Sequence, residues 1–423
     1  MFGAELRRRR LEVDLSLAEL AKLVHYDKSY LSKIENGFKA ASIDVARRCD
    51  AALGADGALA ALVPHTATIG AWPADGWSNG DDVWTLSLAR DGMNQFTSAN
   101  SRAAVTSGTG FGIPYRDIAA AGEETLSVFQ SLFHECVRMS DVVGANAAIP
   151  TVIAQVHILR NLAATASSAV RPALLVLAGR YAEYAGWTAQ EAGDDRAALW
   201  WTNLSATIAA QAASVDLAAF TCARRAEIAL YREDTVQSIA LARKAQENPG
   251  VQPRIRGFAA LREAQAHALS GDYDECGRAL DRATAMLGTD GPAMLGGLPV
   301  PPLGPRIPGS VTGWCMHDLG RVREATTILD QEINFIPKSY RHAAGRYRVR
   351  RVLAHAASGE VDHACTLAHD LLDSPEPVRS AVIRRDVRDL ARTLARWHTH
   401  RPVRELYPRL TAAMRSPAAP ENS

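Results

Sequence analysis

The sequence predicts an all-α protein: a small five-helix bundle followed by an α-solenoid, a long array of helical hairpins. Three observations carry this. Alanine and leucine dominate and aromatics make up only 6% of the 423 residues, which favours helix over sheet. The first sixty residues alternate short apolar stripes at helical spacing with cap and stop signals. In the second half, a tight turn between apolar helical segments recurs at a spacing of 39 residues. A hydrophobic content of 47% fills the cores of two or three domains.

The first element runs over residues 4–13, with Leu6 and Leu11 on one side and the arginines at 7–10 around the other. Ser16 is the expected N-cap of the second helix, and Glu19 completes a capping box. Leu17, Leu20, Ala21 and Val24 form its apolar stripe. His25-Tyr26-Asp27 interrupts the pattern. The next helix covers residues 28–35 with Leu31 and Ile34 inward, and Asn36-Gly37 stops it. Ser42 caps residues 43–53, Gly54 stops them, and Asp56 caps a last short helix ending before Pro64. Two short helices joined by about three residues within such a bundle make a helix-turn-helix.

Residues 4–62 resemble the Xre/Cro/phage-repressor family of DNA-binding domains. The resemblance rests on LAELAKLV, its spacing to YLSKIENG, and SIDVARRCDAALG after it. It implies a double-stranded DNA operator as partner, bound by a homodimer. The N-terminal residues of the second motif helix reach base edges in the major groove. Here those are Asp27, Lys28, Ser29, Ser32 and Lys33. Lys28 and Lys33 donate to guanine, Ser29 bonds either way, and Asp27 either accepts from cytosine or caps the helix. Tyr26 and Tyr30 pack on sugar or a thymine methyl, unless Tyr30 belongs to the core. Ser16, Asn36 and Lys39 hold phosphates. The resemblance also implies a structural ion pair between Glu35 and a helix-1 arginine, Arg10 or Arg7. The turn position often occupied by glycine in this family is His25. Residues 1–62 hold 10 Lys/Arg against 9 Asp/Glu. So little net charge makes monomer binding weak, another reason to expect a dimer.

Residues 64–124 break the helical pattern. Gly, Ser, Thr, Asn and Pro punctuate them, a hairpin turn is suggested at Asn79-Gly80, and Trp72, Trp77 and Trp84 argue for docking. A docked linker and a ligand lid are both open.

Residues 125–415 read as repeats. Marker residues Gly193, Arg232, Gly271, Gly320 and Gly359 stand 39, 39, 49 and 39 apart, the long interval holding a Pro/Gly-rich loop at 287–309. A small residue follows five positions later at Ala198, Cys276, Ala325 and Ala364, while Gln237 breaks the pattern. These units resemble tetratricopeptide (TPR) repeats, which implies a stacked solenoid and a groove for a peptide, small-molecule or protein effector. Arg180, Tyr184, Trp187, Trp200, Trp201, Arg224 and Arg225 are candidates for lining that groove or for filling inter-repeat core. Arg384, Arg388, Arg392 and Arg396, with Arg385, form a basic stripe near Asp386 and Asp389. Residues 416–423 read as a disordered tail.

The start MFGAELRRRR lacks a signal-peptide core, and no membrane span is expected. The six cysteines include no C-x-x-C pair, which fits a reducing, cytoplasmic setting. Nucleotide, hydrolase and zinc-protease motifs are missing, and His355, His363 and His369 near the last repeat turn do not have a metal-site spacing. No catalytic residue, metal or cofactor is expected. The reading is a transcription regulator with a TPR-like effector domain; a scaffold whose head merely localises it is the alternative.

Overall fold

The computed structural model describes residues 2–24, 28–36, 41, 43–53, 55, 58–59, 62, 83–88, 94–99, 122–288, 294–299, 307–336, 341–373 and 380–414. The chain divides into two compact units, residues 1–85 with 97–108 and residues 86–96 with 109–423.

Helices α1 (Phe2–Glu12), α2 (Leu17–Leu23), α3 (Lys28–Glu35) and α4 (Ile43–Leu53) build the N-terminal bundle. Their core is Phe2, Leu6, Leu20, Val24, Leu31, Ile34, Val45, Cys49 and Leu53, closed by Leu59. Leu11, expected beside Leu6, is 57% exposed. Five residues of helix turn the chain by about 500°, so positions 6 and 11 lie on different faces. Most of the expected fifth helix, together with Ser42 and Gly54, lies outside the described residues.

The strands β1 (Val83–Leu88) and β2 (Asn94–Ala99) pair as a two-stranded sheet. Their connection is 89–93, which contains the turn pair Asp91-Gly92. It therefore does not run through Asn79-Gly80, which is outside the described residues. The strand residues Val83, Trp84, Thr85, Phe96 and Thr97 are of the β-branched and aromatic kind that suit a pleated surface.

The second unit consists of antiparallel hairpins. α5 (Glu123–Val142) pairs with α6 (Ala145–Thr165), α7 (Arg171–Ala192) with α8 (Asp195–Gln211), and α9 (Val215–Tyr231) with α10 (Thr235–Gln246). α11 (Pro253–Leu269) pairs with α12 (Tyr273–Leu287), α13 (Ile307–Asp318) with α14 (Val322–Glu332), α15 (Arg341–Ser358) with α16 (Val361–Asp373), and α17 (Ala381–Leu394) with α18 (Arg401–Met414). First helices pack on the next first helix, and each second helix from α6 to α10, like α12 and α14, also touches the first helix that follows it. α17 additionally reaches back to α7. The division of labour is written in the side chains. α12 buries Cys276, Ala279, Leu280, Ala283 and Leu287, a one-sided stripe. α11 instead buries nearly every residue from Gly257 to Ala268, as an inner helix must.

The repeat turns share one local geometry, and it corrects the register in one place. The left-handed residue is Gly193, Gly271, Gly320 or Gly359, but in the second turn it is Glu233, at φ 59°, rather than the expected marker Arg232. Each stands directly before the next helix, whose N-cap is Asp194, Asp234 or Asp272 in the first three turns. Counting five residues on from Glu233 gives Ser238, so the small position is unbroken. Ala198, Ser238, Cys276, Ala325 and Ala364 are all 0% exposed. The Ser238 hydroxyl donates to the Ala226 carbonyl at 2.9 Å, closing α10 onto α9, whereas Gln237 is exposed and its backbone N–H donates to the capping Asp234 Oδ1. Gly271 sits at φ 79° with open space around a built Cβ. Gly271→Ala therefore has only the left-handed backbone cost, about 1–2 kcal/mol, and thermal unfolding should show a matching loss.

The long interval is more than a spacer. β3 (Met294–Leu295) and β4 (Leu298–Pro299) pair antiparallel through Gly296 and Gly297. Leu295 and Leu298 are buried, Gln130 Nε2 donates to the Gly296 carbonyl at 3.1 Å, and Gln252 bonds both the N–H and the carbonyl of Met294. The hairpin thus ties α5 and the start of α11 together.

Candidate nucleic-acid interface and the ion ladder of the array

The α2–α3 pair owes its geometry to local chemistry. Glu19 N–H donates to Ser16 Oγ at 3.2 Å and Ser16 N–H to Glu19 Oε2 at 2.8 Å, a complete capping box. The hydroxyl and backbone bonds from Ser16 hold the Glu19 carboxyl below its ordinary value. Ser16 Oγ accepts in the cap, so its O–H proton is still able to donate to a phosphate. Leu31 and Ile34 anchor α3 in the core, while Lys28 at its first position is exposed beside that stripe.

Arg10 is the helix-1 partner of Glu35, donating through Nε and Nη2 at 2.7 and 3.0 Å to the two carboxylate oxygens, and Nη1 reaches the Leu15 carbonyl at 2.8 Å. One guanidinium therefore joins α1, the α1–α2 turn and the end of α3. Arg7 is exposed. The other two arginines of the run are spent within α1: Arg8 and Arg9 bond Glu5, and Arg8 also bonds Glu12. Their guanidiniums hold the Glu5 carboxyl down at about 2. Two of the four arginines are thus neutralised within their own helix and Arg10 by α3. Gly3, which carries no sequence signal, is where α1 meets α3. A Cβ there would lie 2.2 Å from the Ile34 carbonyl oxygen.

Of the remaining expected DNA contacts, Ser32 is half-buried, and Asn36 is exposed with Nδ2 turned back to the Ser32 carbonyl at 2.8 Å. The second Nδ2–H of Asn36 is the donor that remains for a phosphate. Asp27, Lys39, Tyr26, His25 and the side chains of Ser29, Tyr30 and Lys33 lie outside the described residues.

The candidate effector residues separate. Tyr184 and Trp201 are buried. Tyr184 stacks on Trp187 at 5.4 Å and packs on Phe133, while Trp200 meets Trp201 edge-on at 4.7 Å. Arg225 is half-buried. Arg180 and Arg224 belong to a feature that spacing did not reveal, a ladder of buried ions along the inner helices. Glu183 receives Arg180 and Arg224, each at 2.9 Å. Arg224 also bonds Glu227 and Gln190. Glu227 in turn faces Arg346 of α15 at 3.4 Å and Arg262 of α11 at 3.6 Å. Arg350 continues the chain to Asp318 of α13 at 3.1 Å and Asp386 of α17 at 2.9 Å. Aromatic faces cover the guanidiniums, with Arg180 over Phe220 at 4.7 Å and Arg350 over Trp314 at 3.9 Å.

Burial opposes the charge on Glu227, yet Arg224, Arg262 and Arg346 outweigh it and hold the carboxyl at about 2. Asp318 is likewise held down by Arg350 and His317 against burial. For Asp386 burial wins over Arg350 and Arg346, and its carboxyl is pushed up. The expected basic stripe dissolves here. Arg384 is buried, Arg385 bonds the Tyr231 carbonyl, Arg392 pairs with Asp389, and Arg388 and Arg396 are exposed. Asp386 turns inward to Arg350 and does not screen the stripe. His369 accepts from Arg409 at 2.7 Å, apart from His355 and His363.

Residues 1–63 match the family model described as a helix-turn-helix domain. With the capped α2–α3 pair, this makes the N-terminal unit a helix-turn-helix DNA-binding domain, and the chain a DNA-binding regulator in the broad sense. Among curated proteins, none matches the chain. Among the described residues, no helix is long and apolar enough to cross a membrane.

Proposed function

We propose that the chain is a cytoplasmic bacterial transcription regulator of the Xre type that binds operator DNA as a homodimer. The observation that carries this reading is the capped α2–α3 pair, with Lys28 exposed at the start of the helix that would enter the major groove. Two such helices must stand about 34 Å apart to occupy successive major grooves. The C-terminal hairpins, read as TPR-like, sense a peptide, small-molecule or protein signal and set that separation. The ion ladder supports a coupled response, since it links α7, α9, α11, α13, α15 and α17 through shared charges. A ligand preferring one arrangement of those charges would shift the population of the whole array.

Genome-wide footprinting with the full chain, with and without culture extract, identifies the operator and tests for a diffusible signal. On that operator, Lys28→Ala and Lys33→Ala should each bind about ten- to hundredfold more weakly, the loss of one base-edge contact. If both bind like the parent, α3 is not the reading helix. If the parent footprints nowhere, the scaffold reading replaces the regulator.

A further inference from the structure

Three ligand-type side chains from three helices converge at one end of the α13–α16 hairpins. Asp330 lies near the C-terminal end of α14, His355 in the last turn of α15, and His363 in the first turn of α16. One donor atom from each lies within 4.8 Å of the other two. His355 Nε2 is 3.1 Å from Asp330 Oδ1, and the two imidazoles stand nearly perpendicular with centroids 4.5 Å apart. Bonds of about 2.0–2.1 Å in a tetrahedral site put neighbouring donors about 3.3 Å apart, so the Asp330–His355 edge already has the required length.

The surroundings add a second, independent observation. His355 Nδ1 is 2.5 Å from Glu360 Oε2. A carboxylate behind Nδ1 is the usual partner of a metal-bound imidazole, so Nε2 serves as the ligand atom once a metal displaces any proton shared with Asp330. Nε2 is the nitrogen that faces Asp330. Arg351 Nε donates to Asp330 Oδ1 at 2.5 Å and steadies that carboxylate. Asp330 and Glu360 against Arg351 leave one net negative charge, suited to a dication. His355 is buried while His363 is exposed, so the cluster is packed on one side and open to solvent on the other.

We propose that Asp330, His355 and His363 form a divalent transition-metal site, with Glu360 orienting His355 from behind. Two imidazoles and one carboxylate favour Zn2+ or a metal of similar preference, with a position left for water or a further ligand. Because its ligands come from α14, α15 and α16, a bound metal joins two successive hairpins of the array.

The test uses the full chain, stripped with a chelator and titrated with CoCl2 and then ZnCl2. The expected result is one Co2+ per chain with visible bands of an N/O site, displaced by Zn2+, and a melting temperature that rises with Zn2+ concentration. His363→Ala changes an exposed residue and should weaken Co2+ binding at least tenfold with an unchanged helical spectrum. Glu360→Gln keeps all three ligands and should weaken it by about 10–100-fold. In a second such cluster among the described residues, Glu263, His267 and Glu275, both Glu263 oxygens are taken, Oε1 by Arg243 and Oε2 by Gln246 and Arg282, whereas Arg351 bonds Asp330 through Oδ1, so His267→Ala should bind like the parent. No saturable Co2+ binding by the parent up to about 1 mM overturns the site. So does a His363→Ala variant that binds like the parent, or loss of binding in His267→Ala. None of these measurements involves DNA, so their outcome is separate from that of the regulator reading.

Discussion

Glu227→Gln should destabilise the helical array by about 3–5 kcal/mol, the range for removing one partner of a buried ion group. The side chain is nearly isosteric, so the loss is electrostatic and leaves no cavity. Without the carboxylate, Arg224, Arg262 and Arg346 lose the acid they share, and Arg224 keeps Glu183 while Arg346 keeps its attraction to Asp386. Replacing Arg346 with Met should cost less, because two arginines then still share Glu227. The same carboxylate gives the array an acid limit. Its folded value of about 2 lies below the ordinary 4.5, so its contribution is fully present above about pH 4.5. That contribution, on the order of 3 kcal/mol, is lost as pH falls toward 2. Asp318 titrates in the same sense, whereas Asp386, with its carboxyl pushed up, works in the opposite one. Urea midpoints by circular dichroism between pH 7 and pH 3 should fall for the parent and fall less for Glu227→Gln. Equal slopes in the two proteins would remove Glu227 as the source.

Glu35→Ala should destabilise the N-terminal unit by about 3 kcal/mol or more, because Arg10 is left buried without its carboxylate. A bundle of about sixty residues has little stability in reserve. Hydrogen exchange in α1 and α3 should rise toward that of the unfolded chain, and operator binding should fall with it. Arg10→Met with Glu35→Leu replaces both partners by apolar groups and should recover much of the loss. If Glu35→Ala leaves exchange in α1 unchanged, the pair does not hold α1 to α3. Lys28→Ala has the opposite signature, an intact fold with weaker DNA binding, so the two variants separate architecture from contact.

Several features of the fold were legible because their causes are local. The capping box at Ser16 and Glu19 needs residues three apart, and α3 ends at Glu35, the last residue expected from the stripe of Leu31 and Ile34. The turns at Gly193, Gly271, Gly320 and Gly359 were visible because only glycine adopts left-handed backbone without cost. The same rule misled where Glu233 takes that backbone in place of glycine. Aligning Arg232 shifted one repeat by a residue and hid Ser238. Leu11 was misplaced by treating two apolar residues in one helix as neighbours without counting the turn between them.

By itself, then, the sequence determined the helices, their caps, the helix-turn-helix and the approximate repeat, since each rests on interactions spanning a few residues. Only the tertiary structure decided which charges are buried together. Glu227 meets its partner Arg346 across 119 residues, and Gln130 meets Gly296 across 166. No period or motif encodes such pairs, because they arise when stacked hairpins bring distant inner faces together. Asp330, His355 and His363 are a case of the same kind. The sequence placed His355, His363 and His369 near one turn without suggesting a metal site, while packing of α14 against α15 brought Asp330 to His355 and His363.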